Sequence, residues 1–543
     1  MNPDGPVTGR SPTYAPRGMV TSPHSLASAA GRDALRRGGS AVDAAIATNA
    51  VLCVAYPHMA GLGGDGFWIV HEGDRVRGVN ASGPAAADAT PGFYRDRGHD
   101  AIPERGAAAA LTVPGAVDGW RLVHEEYGAL PWADLFETAA TYAREGVPTA
   151  ASLARWLVQD RDVLRGTSAG ATFLDDGEPR PAGARLTQPA LATTLDRLAA
   201  DGPRAGFYEG AFAEAFCAGL DGSPLAPADL ADYRAEWVEP ITTTYRGRTV
   251  YELPPNTQGV SVLALLNLIE GYDVAGWGDG TADYYHHLTE AVKLAFADRD
   301  EWVTDPAFLD IPTAELSSKA YADDRRARID PDRALPADVP PGRTSSGSAA
   351  RRSADGDTVY FAAADDDGLL VSAIQSIYFD FGSGVVAGET GVIPQNRGAL
   401  FSLDPAHPNV LAPGKRSFHT LVPAMADLDA SRLAFGTMGG EGQPQTQAAL
   451  LTRLVDFGYD VQQAIEAPRW RYGRAWGADS LALSLEGRVA DGVVAELSRR
   501  GHTPRLHTDW TDAVGHAAAI RHHESGAFEG GADPRSDGAA LGY

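Results

Sequence analysis

The sequence predicts a globular protein of mixed α and β structure, and three observations support this fold class. Hydrophobic residues make up 44% and charged residues 22% of the 543 residues, an ordinary balance for a chain with a sizeable core. Residues 113–330 carry apolar side chains mostly at helical spacing. Residues 359–364 and 369–378 are two β-favouring runs around an Asp-Gly turn, which is typical of a hairpin. The length allows about three or four average domains, or one interlocked architecture.

The hairpin is the first feature with candidate chemistry. A two-residue turn would pair Asp365 with Gly368. Counting back along both strands then sets Thr358 opposite Gln375, one residue from Ser376. Two hydroxyl groups would therefore be neighbours on adjacent strands. Threonine and serine are ordinary strand residues, so this pair alone favours a purely structural hairpin.

Other elements follow from apolar spacing and from turn residues. Helices are predicted near residues 116–127, 131–145, 187–200, 208–220, 444–457, 460–466 and 489–500, and strands at 67–71, 431–437, 479–485 and 514–521. The glycine cluster at 61–66 lacks the ending of a phosphate-binding loop and follows a helix, so it indicates a structural turn. Residues 331–357 lack apolar periodicity and predict a loop or disordered tether.

Composition argues against several classes of function. The 71 acidic and 46 basic residues give a net charge of −25, which disfavours a nucleic-acid partner. The acidic residues are dispersed and indicate a solvated surface. Cys53 and Cys217 have helical, apolar neighbours and predict buried thiols without a disulfide. The sequence has no pattern of a signal peptide or a membrane span, so we predict a cytoplasmic protein without membrane contact.

A histidine-containing helix raises the question of a metal site. His286 and Glu290 are one helical turn apart and would share a face of that helix. No third ligand is apparent nearby in the sequence. We therefore predict that the protein binds no metal, and no motif indicates another cofactor.

Motifs downstream of the hairpin change the interpretation of Thr358. They are FGSG at 381–384, AGETG at 387–391, GKR at 414–416, HT at 419–420 and TMGGEGQ at 437–443. With the hairpin, they resemble the γ-glutamyltransferase family of N-terminal nucleophile hydrolases, and the likeness spans essentially the whole chain. Thr358 falls on the catalytic threonine of that family without a gap. The resemblance implies a four-layer α/β/β/α sandwich with two stacked, mainly antiparallel sheets, whereas periodicity alone predicts only mixed α and β structure.

The resemblance also implies a precursor that cuts itself between Asp357 and Thr358. Residues 1–357 would form a helix-rich large segment that ends in the linker 331–357. Residues 358–543 would form a small segment that carries the nucleophile. The two processed chains would associate as one interlocked catalytic domain.

The same resemblance assigns the catalytic residues. Thr358 would be the nucleophile, and its freed α-amino group, with an ordinary pKa of roughly 7.7–8, would be the base. Ser376 would orient the nucleophile. The backbone N–H groups of Gly439 and Gly440 would bind the oxyanion, a role that suits glycine because its backbone reaches conformations that other residues avoid.

The chain departs from true γ-glutamyltransferases at the residues that would hold a glutamyl group. Ser82 occupies the position where the family has an arginine that binds the α-carboxylate. Arg397 and Leu400 occupy the positions where the family has the glutamine and the aspartate that bind the amino group. An arginine at this place favours a carboxylate or a polarised carbonyl over an ammonium. These positions look more like the branch that contains oxamate amidohydrolase and related acylases.

Four side chains are expected at the pocket by the same resemblance. Tyr378 and Arg397 would line the acyl site. His419 and Thr420 replace the paired serines of the family.

The sequence thus predicts an enzyme that hydrolyses a small carboxylate-bearing amide, or transfers its acyl group, with water or an amine as acceptor. One alternative is a true γ-glutamyltranspeptidase that acts on glutathione. A second alternative is an uncleaved relative that is not an enzyme. The acyl group, the acceptor and the oligomeric state stay open, and a homodimer is one assembly that the sequence allows.

Overall fold

The computed structural model describes residues 8–344, 356–474 and 481–543, and two stacked β-sheets form its centre. Every strand pair described within these two sheets is antiparallel. Sheet I contains, in spatial order, Ala539–Gly542, Met19–Ser22, Asp357–Ala364, Leu370–Tyr378, Asp65–Glu72, Arg75–Ala81 and Glu236–Val238. Sheet II contains Thr13–Ala15, Phe528–Ala532, Ala517–His523, Ser431–Thr437, Ala424–Leu428, Arg248–Glu252 and Ile241–Tyr245. Strands from both sides of the Asp357–Thr358 bond are therefore neighbours in both sheets.

Helices cover the outer face of each sheet. Those that share a hydrophobic cluster with sheet I include Ser25–Arg36, Ala41–Ala55, Pro91–Arg95, Ala116–Tyr127, Glu137–Glu145, Ala151–Gln159, Arg161–Arg165, Gly170–Phe173, Pro189–Pro203, Gly210–Ala218 and Pro227–Asp232. Those on the side of sheet II include Gly259–Glu270, Val274–Trp277, Ala282–Trp302, Thr313–Leu316, Lys319–Arg326, Gly442–Val455, Val461–Glu466 and Asp491–Arg499. A third cluster joins the facing sides of the two sheets. These three clusters define four layers, and the predicted α/β/β/α sandwich is confirmed.

Smaller sheets lie outside the sandwich. One contains Trp470–Arg474, Leu481–Leu485 and Pro504–Leu506. Two short pairs join Val147–Pro148 to Arg185–Leu186 and Leu174–Asp175 to Glu178–Pro179.

The strand Asp357–Ala364 is buried on both faces, which explains its unbroken apolar sequence. Val359 and Phe361 point to the helical cluster, whereas Tyr360 and Ala362 point to the cluster between the sheets. Successive side chains of a strand point to opposite faces, so a central strand of a layered fold needs apolar residues on both.

The hairpin was predicted with the wrong register. Asp365 N donates to Leu369 O, so the turn holds three residues between the paired ends and not two. The left-handed conformation of Gly368, with φ of 86°, closes this longer turn. Val359 is consequently the residue opposite Gln375. The pairing shifts between Val359 and Asp357, so Thr358 lies at a bulge on the strand next to Ser376.

Most of the other predicted elements are present with small shifts. Ala116–Tyr127 and Ser431–Thr437 have the predicted bounds. The helix predicted at 131–145 is interrupted, since a 3₁₀ turn at Trp132–Leu135 precedes Glu137–Glu145. The strand predicted at 514–521 begins later, at Ala517, because Gly515 has a left-handed backbone with φ of 84°.

Three further expectations concern the linker, the two cysteines and membrane contact. Residues 331–344 of the predicted linker form no helix or strand, and 345–355 lie outside the described residues, as do 479–480 of a predicted strand. Cys53 is a buried free thiol, but Cys217 is only half-buried. None of the described helices has the length and apolar character that crossing a membrane requires.

Candidate active site

The peptide bond between Asp357 and Thr358 lies buried at the start of a sheet I strand. Asp357 is 2% exposed and Thr358 is 1% exposed. Ser376 Oγ donates a hydrogen bond of 2.5 Å to the carbonyl oxygen of Asp357. Such a bond draws electron density from the carbonyl carbon and favours attack on it. The serine that the sequence set beside Thr358 therefore contacts the peptide bond that precedes Thr358.

Two donors hold the Ser376 hydroxyl in this orientation. The backbone N–H of Tyr378 lies 2.7 Å from Ser376 Oγ, and Arg397 Nη2 lies 3.1 Å from it. With both lone pairs engaged, the hydroxyl proton is left for the Asp357 carbonyl. Tyr378 has φ of 81°, a left-handed conformation that bulky residues rarely adopt and that is often found at functional sites.

Arg397 is a fully buried cation at the centre of the site. Its Nη1 donates to Thr420 Oγ1 at 3.1 Å, and its guanidinium carbon lies 4.3 Å from the centre of the Tyr378 ring. Its Nε has no hydrogen-bond partner. Burial lowers the pKa of Arg397 to about 10, and within the described residues no carboxylate forms an ion pair with it. The site is therefore short of one negative charge.

Asp65 interacts with Arg397 electrostatically, but hydrogen bonds from other residues engage both of its carboxylate oxygens. Its Oδ1 accepts hydrogen bonds from Gly83 N at 2.9 Å and Gly115 N at 3.2 Å. Its Oδ2 lies 3.1 Å from Nε2 of His419. Because Leu421 N donates to His419 Nδ1, we assign the ring proton to Nε2, which donates to Asp65. Burial raises the pKa of Asp65 to about 7 and holds that of His419 well below its usual range.

The glycine cluster at 61–66 exists because two chains approach closely there. A Cβ on Gly63 would lie 2.1 Å from Ile393 O, and one on Gly64 would lie 2.4 Å from Ser376 O. Only glycine allows this contact. The cluster brings Asp65 opposite Ser376 in sheet I. Sequence reasoning identified the turn but missed Asp65, although an acid directly after Gly63-Gly64 was the available signal.

Gly439 and Gly440 form a turn near the Asp357–Thr358 bond. They connect the strand Ser431–Thr437 to the helix Gly442–Val455 and have φ of 115° and 52°. Gly439 and Asp357 line one cavity of about 130 Å³. The structure thus brings the predicted oxyanion turn and the residue before the predicted cleavage bond to the same small cavity.

Gln258 joins this turn to the rest of the site. Its Nε2 donates to Thr420 O at 2.7 Å and to Gly440 O at 3.1 Å. Arg299 donates from Nη1 to Gln258 Oε1 at 3.1 Å and from Nη2 to Glu441 at 2.9 Å. The positioning contacts of Gln258, Arg299 and Glu441 were not predicted, because they join residues far apart in the chain.

Ser82 contributes a hydroxyl and no positive charge. Its Oγ donates to Asn80 Oδ1 at 2.7 Å and accepts from Asn256 Nδ2 at 3.2 Å. These contacts engage Ser82 within a buried amide network. The side chain at the position that the resemblance matches to the carboxylate-binding arginine is therefore a hydroxyl, and the nearby Arg416 guanidinium, which donates to the Ser82 carbonyl, is paired with Glu236.

The structure brings the predicted site residues together. Thr358, Ser376, Tyr378, Arg397 and Thr420 are linked by direct contacts or by the backbone. His419 joins them through Asp65, and Gly440 through Gln258. A separate group of histidine and acidic side chains with metal-ligand spacing contains His286, Glu290 and His502. The sequence near His286 and Glu290 offers no third candidate ligand, and the structure places His502, from a distant part of the chain, beside them.

Two antiparallel sheets between helical layers, with a threonine at the start of a central strand, are the features of an N-terminal nucleophile hydrolase. The family model described as Gamma-glutamyltranspeptidase matches residues 27–543. The chain belongs to the gamma-glutamyltranspeptidase family and is an enzyme of this hydrolase class. The resemblance stated from its motifs is thereby confirmed.

Two curated relatives and one solved structure are similar to this chain over nearly its whole length. The glutathione hydrolase-like YwrD proenzyme of Bacillus subtilis is 45% identical, with 96% of this chain and 98% of the relative covered. The oxamate amidohydrolase proenzyme of Klebsiella pneumoniae is 44% identical, with 97% and 98% covered. The crystal structure of cephalosporin acylase from Bacillus halodurans is similar with a TM-score of 0.90 and 36% identity, and covers 100% of this chain and 99% of its own.

Proposed function

We propose that this enzyme cuts its own chain between Asp357 and Thr358 and then hydrolyses small amides that carry a carboxylate next to the scissile carbonyl, as in oxamate. The proposed substrate class rests on Arg397. Its guanidinium is buried, its Nε has no hydrogen-bond partner, and it forms no ion pair with a carboxylate of the described residues. A substrate carboxylate would supply the missing charge. Arginine and carboxylate groups match in geometry as well as in charge.

The first reaction is an acyl shift within the precursor. The Thr358 hydroxyl attacks the Asp357 carbonyl carbon, the peptide C–N bond breaks, and an ester to the threonine oxygen forms. Water then hydrolyses the ester, leaving a carboxylate on Asp357 and a free α-amino group on Thr358. The hydrogen bond from Ser376 to the Asp357 carbonyl supports this step because it stabilises negative charge on that oxygen.

Turnover of an amide repeats this chemistry with an external substrate. The α-amino group of Thr358 accepts the hydroxyl proton, and the oxygen attacks the amide carbonyl to form an acyl-enzyme. Backbone N–H groups of Gly439 and Gly440 stabilise the oxyanion. Water, or an amine in a transfer reaction, then takes the acyl group. The two chains 1–357 and 358–543 stay associated because their strands are neighbours in both sheets.

A γ-glutamyl substrate fits this site less well than an oxamate-like one. Its α-carboxylate would find the Ser82 hydroxyl and side-chain amides where the family has an arginine, and the nearby Arg416 is already paired with Glu236. Its α-ammonium would approach the Arg397 guanidinium. An unpaired or repelled charge in a mostly dry pocket costs several kcal/mol. Glutathione hydrolysis, the activity named for one relative, is therefore the second candidate.

Ser376→Ala tests the role of the serine in both reactions. We expect fragment formation and kcat to fall by roughly 10²–10³-fold, since the variant loses the hydroxyl that bonds to the Asp357 carbonyl and that would orient the Thr358 nucleophile. The free energy of unfolding should fall by only about 1 kcal/mol. The measurements are the rate of fragment appearance on a denaturing gel, amide hydrolysis and the melting temperature.

The matched control is Ser372→Ala. Ser372 lies on the same strand, is equally buried and bonds to the Tyr360 hydroxyl at 2.9 Å. It should process at the wild-type rate. If Ser376→Ala also processed and turned over like wild type, Ser376 would have no chemical role.

A substrate panel tests the proposed class directly. Purified enzyme is assayed at one pH and salt concentration with oxamate, with a neutral acyl amide of similar size and with γ-glutamyl-p-nitroanilide. We expect kcat/KM for oxamate to exceed that for the γ-glutamyl compound by roughly 100-fold or more, because each 1.4 kcal/mol corresponds to a factor of about ten. Efficient turnover of the γ-glutamyl compound alone would instead identify a glutathione hydrolase.

A further inference from the structure

Two histidines and a glutamate lie close together among the helices that cover sheet II. His286 and Glu290 are one turn apart on the helix Ala282–Trp302. His502 follows the helix Asp491–Arg499 and is 216 residues further along the chain than His286. The ligand atoms of the three side chains all lie within 4.8 Å of one another, and all three residues are buried.

Hydrogen bonds leave a lone pair of His286 directed at this group. His286 Nε2 lies 2.8 Å from the carbonyl oxygen of Asp330, which can only accept, so Nε2 carries the ring proton. His286 Nδ1 is then unprotonated and accepts a hydrogen bond of 2.8 Å from His502 Nε2, and a bound metal would replace that proton. A backbone carbonyl that fixes the far nitrogen of a histidine is the usual outer contact of a metal ligand.

Glu290 uses one oxygen for a backbone contact and the other for an ion pair. Its Oε2 accepts from Leu335 N at 2.6 Å. Its Oε1 is buried and is paired with the Lys293 ammonium, whose Nζ lies 2.7 Å away. Oε1 is also 3.8 Å from His502 Nε2. Lys293 Nζ has a second acceptor in the Leu335 carbonyl at 2.8 Å, so it can leave Oε1 without losing all its contacts.

We propose that His286 Nδ1, Glu290 Oε1 and His502 Nε2 form a binding site for a divalent transition metal, with zinc as the best match. Zinc prefers imidazole nitrogen and carboxylate oxygen, and tetrahedral geometry with bonds near 2.0–2.1 Å separates neighbouring donors by roughly 3.4 Å. The observed separations of 2.8 and 3.8 Å lie on either side of that value. Small side-chain rotations would therefore complete the site.

The surroundings leave room for a fourth ligand. A cleft of about 570 Å³ lies beside the group and is lined by His502, Lys293 and Leu335, among others. Three protein ligands and one position open to solvent or a small molecule are typical of zinc sites that are not purely structural.

The site would also join three separate parts of the fold. His286 and Glu290 hold the segment 330–335 through the Asp330 carbonyl and the Leu335 N–H. His502 adds the turn after the helix Asp491–Arg499. Segment 330–335 is the start of the linker 331–357, so bound metal would hold the start of that linker against the helices. This role is independent of the Thr358 chemistry.

Zinc binding by the full chain tests the proposal. After treatment with a chelator, the protein is titrated with Zn²⁺ and its metal content is measured after dialysis. We expect one Zn²⁺ per chain, a higher melting temperature with zinc, and a Co²⁺ derivative with the intense visible absorption of a four-coordinate nitrogen- and oxygen-ligated site. His502→Gln and Glu290→Gln should each weaken Zn²⁺ binding by at least about 100-fold.

Two further variants distinguish this site from general histidine binding. Lys293→Met should tighten zinc binding, because it removes the ammonium that competes for Glu290 Oε1. His287→Gln is the matched control, since His287 is on the same helix but donates from Nδ1 to Asp283 O and stacks on Trp277. It should bind Zn²⁺ like wild type. The proposal is overturned if wild type binds no Zn²⁺, or if His502→Gln and His287→Gln bind it equally well.

Discussion

Thr358→Ala is expected to yield a single intact chain of 543 residues and to lower amide hydrolysis by at least about 10⁴-fold. Alanine has no hydroxyl to attack the Asp357 carbonyl, so neither the acyl shift nor the later acyl-enzyme can form. The scissile bond already has the contact that activates it, since Ser376 Oγ donates to that carbonyl at 2.5 Å. Wild type should give fragments 1–357 and 358–543, measured by intact mass and by N-terminal sequencing of the smaller fragment.

Thr358→Ser is the matched control for this result. It keeps the hydroxyl and the future α-amino group, so it should still cleave and hydrolyse amides at a reduced rate. The folded state of both variants is compared by melting temperature. Cleavage of Thr358→Ala, or a wild-type cut at another bond of the linker, would reject Thr358 as the nucleophile.

Arg397→Met is expected to change substrate choice more than any other pocket substitution. The ratio of kcat/KM for oxamate to that for a neutral amide should fall by about 100-fold, because an ion pair worth roughly 3 kcal/mol in a buried site is lost. The neutral amide should be affected much less. The melting temperature should not fall, since burial of an unpaired guanidinium is itself costly and lowers the pKa of Arg397 to about 10.

Arg416→Met controls for the general loss of positive charge. Arg416 is half-buried, donates to the Ser82 carbonyl at 3.2 Å and pairs with Glu236. Its substitution should leave the substrate ratio unchanged. A fall in the ratio for both variants would indicate a long-range charge effect, and no fall for Arg397→Met would remove the basis for a carboxylate-bearing substrate.

Local patterns were sufficient to predict much of the secondary structure. The helix Ala116–Tyr127 and the strand Ser431–Thr437 have the predicted bounds because their apolar spacing and flanking turn residues are properties of consecutive residues. The motifs also identified the family, and with it the four-layer sandwich. Apolar periodicity by itself predicted only mixed α and β structure, since stacking of the sheets depends on contacts between distant strands.

Residues of the candidate site were named from the sequence, but the contacts that join them were not. Thr358 and Ser376 were identified from the hairpin and the resemblance, but the register was off by one residue because the turn contains an extra residue before Leu369. A strand side chain reverses its face with each such shift, so register is sensitive to turn geometry. The bulge at Thr358 nevertheless keeps it next to Ser376.

By itself, the sequence determined the family, the order of the elements and the identity of the candidate nucleophile, because these depend on residue types and on short spacings. Only the tertiary structure decided which charges are paired. Asp65 meets His419 from 354 positions away, so that Arg397 forms no ion pair with a carboxylate of the described residues, and His502 meets His286 across 216 positions. Burial and electrostatic interaction are sums over neighbours in space, so residue types alone do not determine whether a charged side chain is satisfied.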